Sequence, residues 1–466
     1  MRSPLQKFTD FTNKLLPNET AYLLSVQQFE DEDRLRILQQ IDYNAQHIEQ
    51  FTPYDTSIDK RKYNHLQNWI GTRLKAVDVD EQLNKMLIWA QQIETDSIYA
   101  EEEKQLLKSI KKYEHPAHFF SKFYELVESY RHFLLIRLRY ADHQLADDFL
   151  SRYRADYLQA KQIKETLHEA TRAIVGQYSG KGGESKQWKG WLSEIFNNEH
   201  LEGQIRYLAL VRLVFIAHNY KQYEPLRAKF DYLDEKLAQG LYYSKRHLLN
   251  YYNNRLMLHS YFKEYDQAVH FGYLAVRAKT HDYLLYVNNL CAILLRVHRH
   301  QEALELMKEA TAEAKETKNF HNRVGFVAFY MQALNKNGLC KNAEHYGDSF
   351  LRAYTKEVLH YRWHLFFSVY LEAMFHQNHL EKIIKTAQKY RLLDRDKALR
   401  TNASYLPIIP LYIESARFVE GHISKAQFFE RLDDLLLSAE VPTNVLFQNV
   451  LEGLRVRVPE VVERWL

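Results

Sequence analysis

The chain has 466 residues, 46% apolar and 26% charged, the balance of an ordinary folded chain. Its 63 basic and 59 acidic residues leave a formal net charge of +4, too small to imply a polyanion as partner. Only 14 glycines and 9 prolines occur, with no proline between Pro225 and Pro407, which excludes a fold of hairpins and tight turns and leaves one that is nearly all helix.

The length exceeds what one compact core usually serves, so several domains or a core extended along a repeat array are expected. The amino terminus, MRSPLQKFTDFTNKLLP, lacks the unbroken apolar core of a secretory signal. No apolar run approaches about 18 residues; the greasiest stretch, LALVRLVFIAH, is interrupted by Arg212. Cys291 and Cys340 are the only cysteines, too few for a disulfide framework. The expectation is a soluble, cytoplasmic protein with no membrane segment.

From the amino terminus onward, apolar residues recur at steps of three and four in EDRLRILQQIDYNAQHIEQF, DEQLNKMLIWAQQI, EEKQLLKSIKKY and AHFFSKFYELVESYRHFLLIRLRY. Each predicts an amphipathic helix. Asn18, Ser57 and Asp80 are expected as amino-terminal caps, Pro53 and Pro116 as breaks, with Pro116 opening a helix. Within this region Tyr124, Tyr130, Tyr140, Tyr153 and Tyr157 alternate with Arg131, Arg137, Arg139, Arg152 and Arg154. Such a series can stack single-stranded nucleic acid, the alternative functional class, or simply fill helix interfaces. The acidic Asp142, Asp147, Asp148 and Asp156 threaded through it favour the second account.

Five glycines, Gly176, Gly180, Gly182, Gly183 and Gly190, cluster in GQYSGKGGESKQWKG, a predicted linker because each costs backbone entropy in a helix. The spacing is wrong for a phosphate-binding loop.

Beyond the cluster a helix-turn-helix corner recurs in YKQYEPLRAKF, FKEYDQAVHFG, HRHQEALELMK, NGLCKNAEHYG, QNHLEKIIKTA and EGHISKAQFFE. Aligned on Pro225, Ala268, Ala303, Ala343, Ile383 and Ala426, these units follow one another at 35 to 43 residues, the period of stacked helix pairs. Over about residues 250–316 the pattern resembles tetratricopeptide repeats. Leu290 and Cys291 match the Leu and small positions of the first helix, and Ala303, Met307 and Ala310 those of the second. The preceding unit supplies Tyr265, Ala268 and Ala275, but has Leu256 where a small residue is usual, and both units lack the closing proline. The resemblance implies an all-α fold: an α-solenoid of stacked TPR-like pairs behind an all-helical amino-terminal region. The expected organisation is 1–178 for that region, 179–199 for a glycine-rich linker and short helix, 200–440 for repeats, and 441–466 for capping helices in which Trp465 and Leu466 pack back.

The segments YYNNRL, from residue 251, and YVNNLC, from residue 286, place asparagine pairs at like points of successive first helices. An asparagine amide offers donor and acceptor together and can hold the backbone of an extended peptide. The resemblance assigns that role to the places matched by Asn254 and Asn289. Asn253, Asn254, Asn288 and Asn289 are therefore the expected peptide-binding residues, with Arg296 and Lys336, and Arg255 nearby, as basic neighbours; the alternative is that they bond neighbouring loops or face solvent. His360 and His364 in HYRWH are spaced for zinc on one helix, but without a metalloprotease glutamate. No nucleophile elbow, kinase set or dinucleotide fingerprint occurs, and neither a cofactor, a metal nor catalysis is expected. A non-enzymatic scaffold that binds a protein or peptide is the functional expectation. No DNA-reading helix-turn-helix stands at the front of the chain.

Overall fold

With few glycines and prolines to interrupt it, the backbone satisfies its own hydrogen bonds locally, and every regular element of the computed structural model is helical. Residues 5–48, 50–178, 184–400, 405–436, 445–455 and 457–459 are described. Among them there is no strand, and no helix is long and apolar enough to cross a membrane. Gly180, Gly182, Gly183, Trp465 and Leu466 lie outside the described residues. Gly176 belongs to the 39-residue helix Tyr140–Tyr178, and Gly190 to the helix Lys189–Asn197.

The chain divides into two compact units, Met1–Thr280 and His281–Leu466. The boundaries expected near residues 178 and 199 fall inside the first unit, and the one near 440 lies outside the described residues.

In the first unit, two apolar clusters organise the amino-terminal helices. One gathers Phe8, Leu23, Ile37, Ile41, Tyr63 and Ile70. The other joins Trp89, Leu106, Phe120, Phe123, Tyr130 and Phe149. Part of the tyrosine and arginine series is engaged in this packing, while Tyr140, Arg152 and Arg154 are exposed. Tyr124 stacks on Tyr157 with ring centres 4.2 Å apart, and Tyr130 donates a 2.7 Å hydrogen bond to Glu103. Arg131 pairs with Asp147 at 2.9 Å, Arg137 with Asp96 at 2.7 Å, and Arg139 with Asp142 at 2.6 Å.

The expected caps are displaced. Asp59 caps the helix Lys60–Val77 through Arg61 N, where Ser57 was expected, and Asp78 caps Val79–Glu94 through Asp80 N, so Asp80 sits in the first turn. In each case an aspartate two residues from the expected cap places its carboxylate on a first-turn amide. Asn18 is inside the helix Pro17–Val26 and turns its side chain to distant partners. Pro53 falls in a break as expected, but Pro116 precedes a helix that begins only at Phe120.

The corner motifs lie where a long helix hands over to its successor. In the first unit the successions are Gly203–Tyr220 to Arg227–Ala238 and Lys245–Tyr261 to Tyr265–Ala275. In the second they are Tyr283–Arg296 to His300–Glu309, Phe320–Lys336 to Cys340–Ala353, Trp363–His376 to Leu380–Tyr390 and Ile408–Val419 to Lys425–Leu436. Ala268, Ala303, Ala343 and Ile383 are fully buried as the fourth residue of their helices. Pro225 and Ala426 are exposed, and the fourth position is taken by the buried Phe230 and Phe428 instead. Alignment on alanine misses that position when an aromatic ring fills it.

Within the second unit each first helix packs on the next first helix, and each second helix packs on its own partner and on the first helix that follows. Gly347 shows why a small residue is required there: a Cβ would stand 2.7 Å from Sδ of Met331 on one first helix and 2.8 Å from Cδ2 of Tyr370 on the next. Every residue from Phe366 to Phe375 is buried, so this stretch of the first helix turns no face to solvent. Each large side chain it removes from water contributes roughly 1.5–3 kcal/mol. Of the helix Val445–Leu454, Phe447, Leu451 and Leu454 are fully buried.

Candidate functional site

The helix Lys245–Tyr261 starts at Ser244, whose hydroxyl accepts from the backbone amide of His247 at 3.2 Å. This start fixes the rotation of the segment YYNNRL. Tyr251 donates to Oδ1 of Asp234 at 2.8 Å and accepts from Nε of Arg255 at 2.9 Å. Arg255 also donates to Asp231 at 2.7 Å, so its charge is balanced within the unit. Tyr252 donates to Oδ1 of Asn18 at 2.6 Å, and Asn18 donates through its amide nitrogen to Oδ1 of Asp234 at 3.0 Å. Burial holds the Tyr252 hydroxyl well above the usual phenol range.

Next to this network Glu19 has a side chain with no exposure, and it accepts from Tyr243 at 2.6 Å and from Lys245 at 2.7 Å. The amino-terminal turn is thus anchored on the helices at 227–261 by a buried polar cluster that includes an ion pair. Sequence reasoning missed Asn18, Glu19 and Asp234 in this role, since nothing local relates positions more than 200 residues apart.

Asn253 is buried, at 5% exposure. Asn254 is half-buried, and its amide nitrogen donates to Oδ1 of Asn250 at 3.0 Å along the same helix. Asn250 in turn accepts from Tyr207 at 3.0 Å.

In the second unit Asn288 is 1% exposed, which removes it from any open surface. Its amide nitrogen donates to the carbonyl of Asn322 at 3.0 Å, from one first helix to the next, and its Oδ1 is buried without a hydrogen-bond partner. Asn335, which the sequence pattern did not single out, repeats the arrangement one pair further on: Nδ2 donates to the carbonyl of Val369 at 3.1 Å. The two bonds span the same 34 positions. Asparagine therefore ties consecutive first helices together, with a short amide that reaches a carbonyl where the helices run close.

Asn289 is half-buried, and Arg296 is exposed in the last turn of its helix. Lys336 donates to Oε1 of Glu372 at 3.0 Å, while Glu372 Oε2 accepts from Asn335 at 3.1 Å. The ammonium of Lys336 thus serves a carboxylate of its own unit.

The expected zinc spacing does not hold on one helix. His360 ends the helix Thr355–His360, Arg362 takes a left-handed conformation (φ 43°), and His364 belongs to the next helix, 3.7 Å from Oδ1 of Asp396. Among the described residues no group of three or more His, Cys, Asp or Glu is arranged to hold a metal ion. Cys291 is buried, its thiol raised by desolvation, and Cys340 is half-buried; neither forms a disulfide.

Compared with protein-family models, curated proteins and solved structures, the chain matches none.

Proposed function

We propose that the chain is a TPR-like α-solenoid that serves as a non-enzymatic scaffold, with its first helices presenting a wall to a protein or peptide partner. The observation that carries this reading is the order of packing in the second unit, where first helices succeed one another side by side and second helices fill the spaces between them. Such an arrangement buries most of each first helix, all of residues 366–375 included, and leaves the residues of Tyr283–Arg296 that keep solvent access for a partner. Asn289 and Arg296 are the members of the expected set that keep solvent access in this unit. Asn253 and Asn288 act in packing instead, and Lys336 is engaged.

The test compares wild type with the double variant Asn289→Ala, Arg296→Ala as bait for host proteins, followed by mass spectrometry. The reading expects a partner that wild type retains and the variant loses, with melting temperatures within a few degrees of each other, since exposed positions add little to stability. Equal recovery of every partner by both baits, or unfolding of the variant, removes the residues from a binding role.

A further inference from the structure

Arg206 lies one turn into the helix Gly203–Tyr220 and is only 6% exposed. Its Nε donates to the carbonyl of Phe196 at 2.9 Å and its Nη2 to the Tyr232 hydroxyl at 2.8 Å. Three rings surround the guanidinium, with its carbon 5.9, 5.5 and 5.7 Å from the centres of Phe196, Tyr232 and Tyr242. Among the described residues it makes no direct ion pair. Glu199 meets the guanidinium only through the Tyr232 hydroxyl, from which it accepts at 2.6 Å, and Glu202, fully enclosed, pairs with Lys164 at 2.7 Å and accepts from Ser121 N at 2.6 Å. A buried guanidinium with no carboxylate in direct contact is costly, and a ligand that supplied the charge would relieve that cost.

This one faces a pocket of about 210 Å³ within the first unit. Leu201, Leu241, Tyr232 and Tyr242 form apolar walls, and Lys236 stands at the rim with its ammonium 5.2 Å from the Tyr232 ring centre. Gly203 keeps the floor open, since a Cβ there would lie 2.6 Å from Nδ1 of His118 and 3.1 Å from Cε1 of Tyr242. His118 adds no charge, because burial and the neighbouring His247 lower its pKa to about 3.

We propose that this pocket binds a small organic carboxylate, with the carboxylate on Arg206 and Lys236 and an apolar body between the two leucines and the tyrosine rings. Charge selects this class. Two cations face one carboxylate, Glu199, which leaves a single positive charge to match, and a phosphate dianion would crowd Glu199. The planar guanidinium edge suits a planar carboxylate. The volume is below the roughly 300–1,000 Å³ of drug-sized sites, so the body is no larger than an aromatic ring with a short substituent.

Titration calorimetry of the full chain with acetate, benzoate, 4-hydroxybenzoate, benzamide and inorganic phosphate tests the assignment. Saturable binding of an aromatic carboxylate is expected, with benzamide and phosphate at least about tenfold weaker, because each lacks either the charge or the fit. Arg206→Gln is expected to weaken that binding by about tenfold or more, and Lys236→Gln by a smaller factor. Leu241→Trp, at a position 51% exposed, fills the mouth without disturbing the core and should abolish binding, so the outcome does not hang on whether Arg206→Gln folds. Absence of saturable binding by all three carboxylates, benzamide or phosphate binding as tightly as benzoate, or unchanged affinity in folded Lys236→Gln and Leu241→Trp, overturns the proposal.

Discussion

The Tyr252 hydroxyl donates a 2.6 Å hydrogen bond to Oδ1 of Asn18, a residue 234 positions earlier in the chain. The Tyr252 hydroxyl oxygen in turn accepts from the backbone amide of Asn18 at 3.3 Å, and both residues are buried. Removing the hydroxyl alone leaves the amide oxygen and the N–H of Asn18 without their partner in a dry site. Tyr252→Phe is therefore expected to lower stability in urea unfolding by about 1–3 kcal/mol. Adding Asn18→Leu removes the stranded oxygen but also the bond from Asn18 to Asp234, and the backbone N–H stays unpaired, so only a small part of that loss should return. A single-variant cost below about 0.5 kcal/mol would show that the bond contributes nothing beyond what water supplies.

The helices were legible from the sequence because periodicity and the scarcity of glycine and proline act locally. Alanine at the fourth position of a second helix is a local signature too, and it placed Ala268, Ala303 and Ala343 in the core. It failed at Pro225 and Ala426, where Phe230 and Phe428 fill the equivalent space and the pattern has no small residue to register. The asparagines are harder, since an amide is suited equally to a peptide backbone and to a neighbouring helix, and only the distance from Asn288 to the Asn322 carbonyl decides its use. The partners of Tyr252 and Lys245, Asn18 and Glu19, could not be read at all, because long-range pairing leaves no periodic trace in one sequence. Arg206 was invisible for the same reason: its lack of a carboxylate becomes apparent only once Glu199 and Glu202 are seen with other partners.

Lys336 and Glu372 join two consecutive first helices through a 3.0 Å ion pair, in which the Glu372 side chain is 12% exposed. Lys336→Met removes the cation and leaves that carboxylate with only Asn335 as a donor. A loss of about 1–3 kcal/mol is expected, since an enclosed charge has lost a partner. Lys336→Met combined with Glu372→Leu should be markedly more stable than Lys336→Met alone, as apolar replacements of an enclosed pair are often neutral. A double-mutant cycle by thermal or chemical denaturation reads the coupling. Strict additivity of the two substitutions would mean that the pair is no more than a surface contact, and would return Lys336 to the residues available to a partner.

His118 and His247 face each other with ring centres 5.5 Å apart, and both are held neutral. Burial lowers His118 to about 3, helped by the charge His247 would carry; burial and the adjacent Arg246 lower His247 to about 4. In the unfolded chain each returns to the ordinary 6.5. Between that value and the folded one the unfolded state binds more protons, so stability is fully present above pH 6.5 and falls as the medium is acidified through the window. The slope is at most about 1.4 kcal/mol per pH unit for each histidine. His118 Nε2 is buried without a hydrogen-bond partner, so His118→Leu strands nothing and should lie within about 1.5 kcal/mol of wild type at pH 8. On moving to pH 5, denaturant unfolding should show wild type losing up to about 2 kcal/mol more than the variant. Parallel stability profiles for the two proteins across this range would mean that the folded unit lets His118 protonate, and with it that the site is wetter than its packing implies.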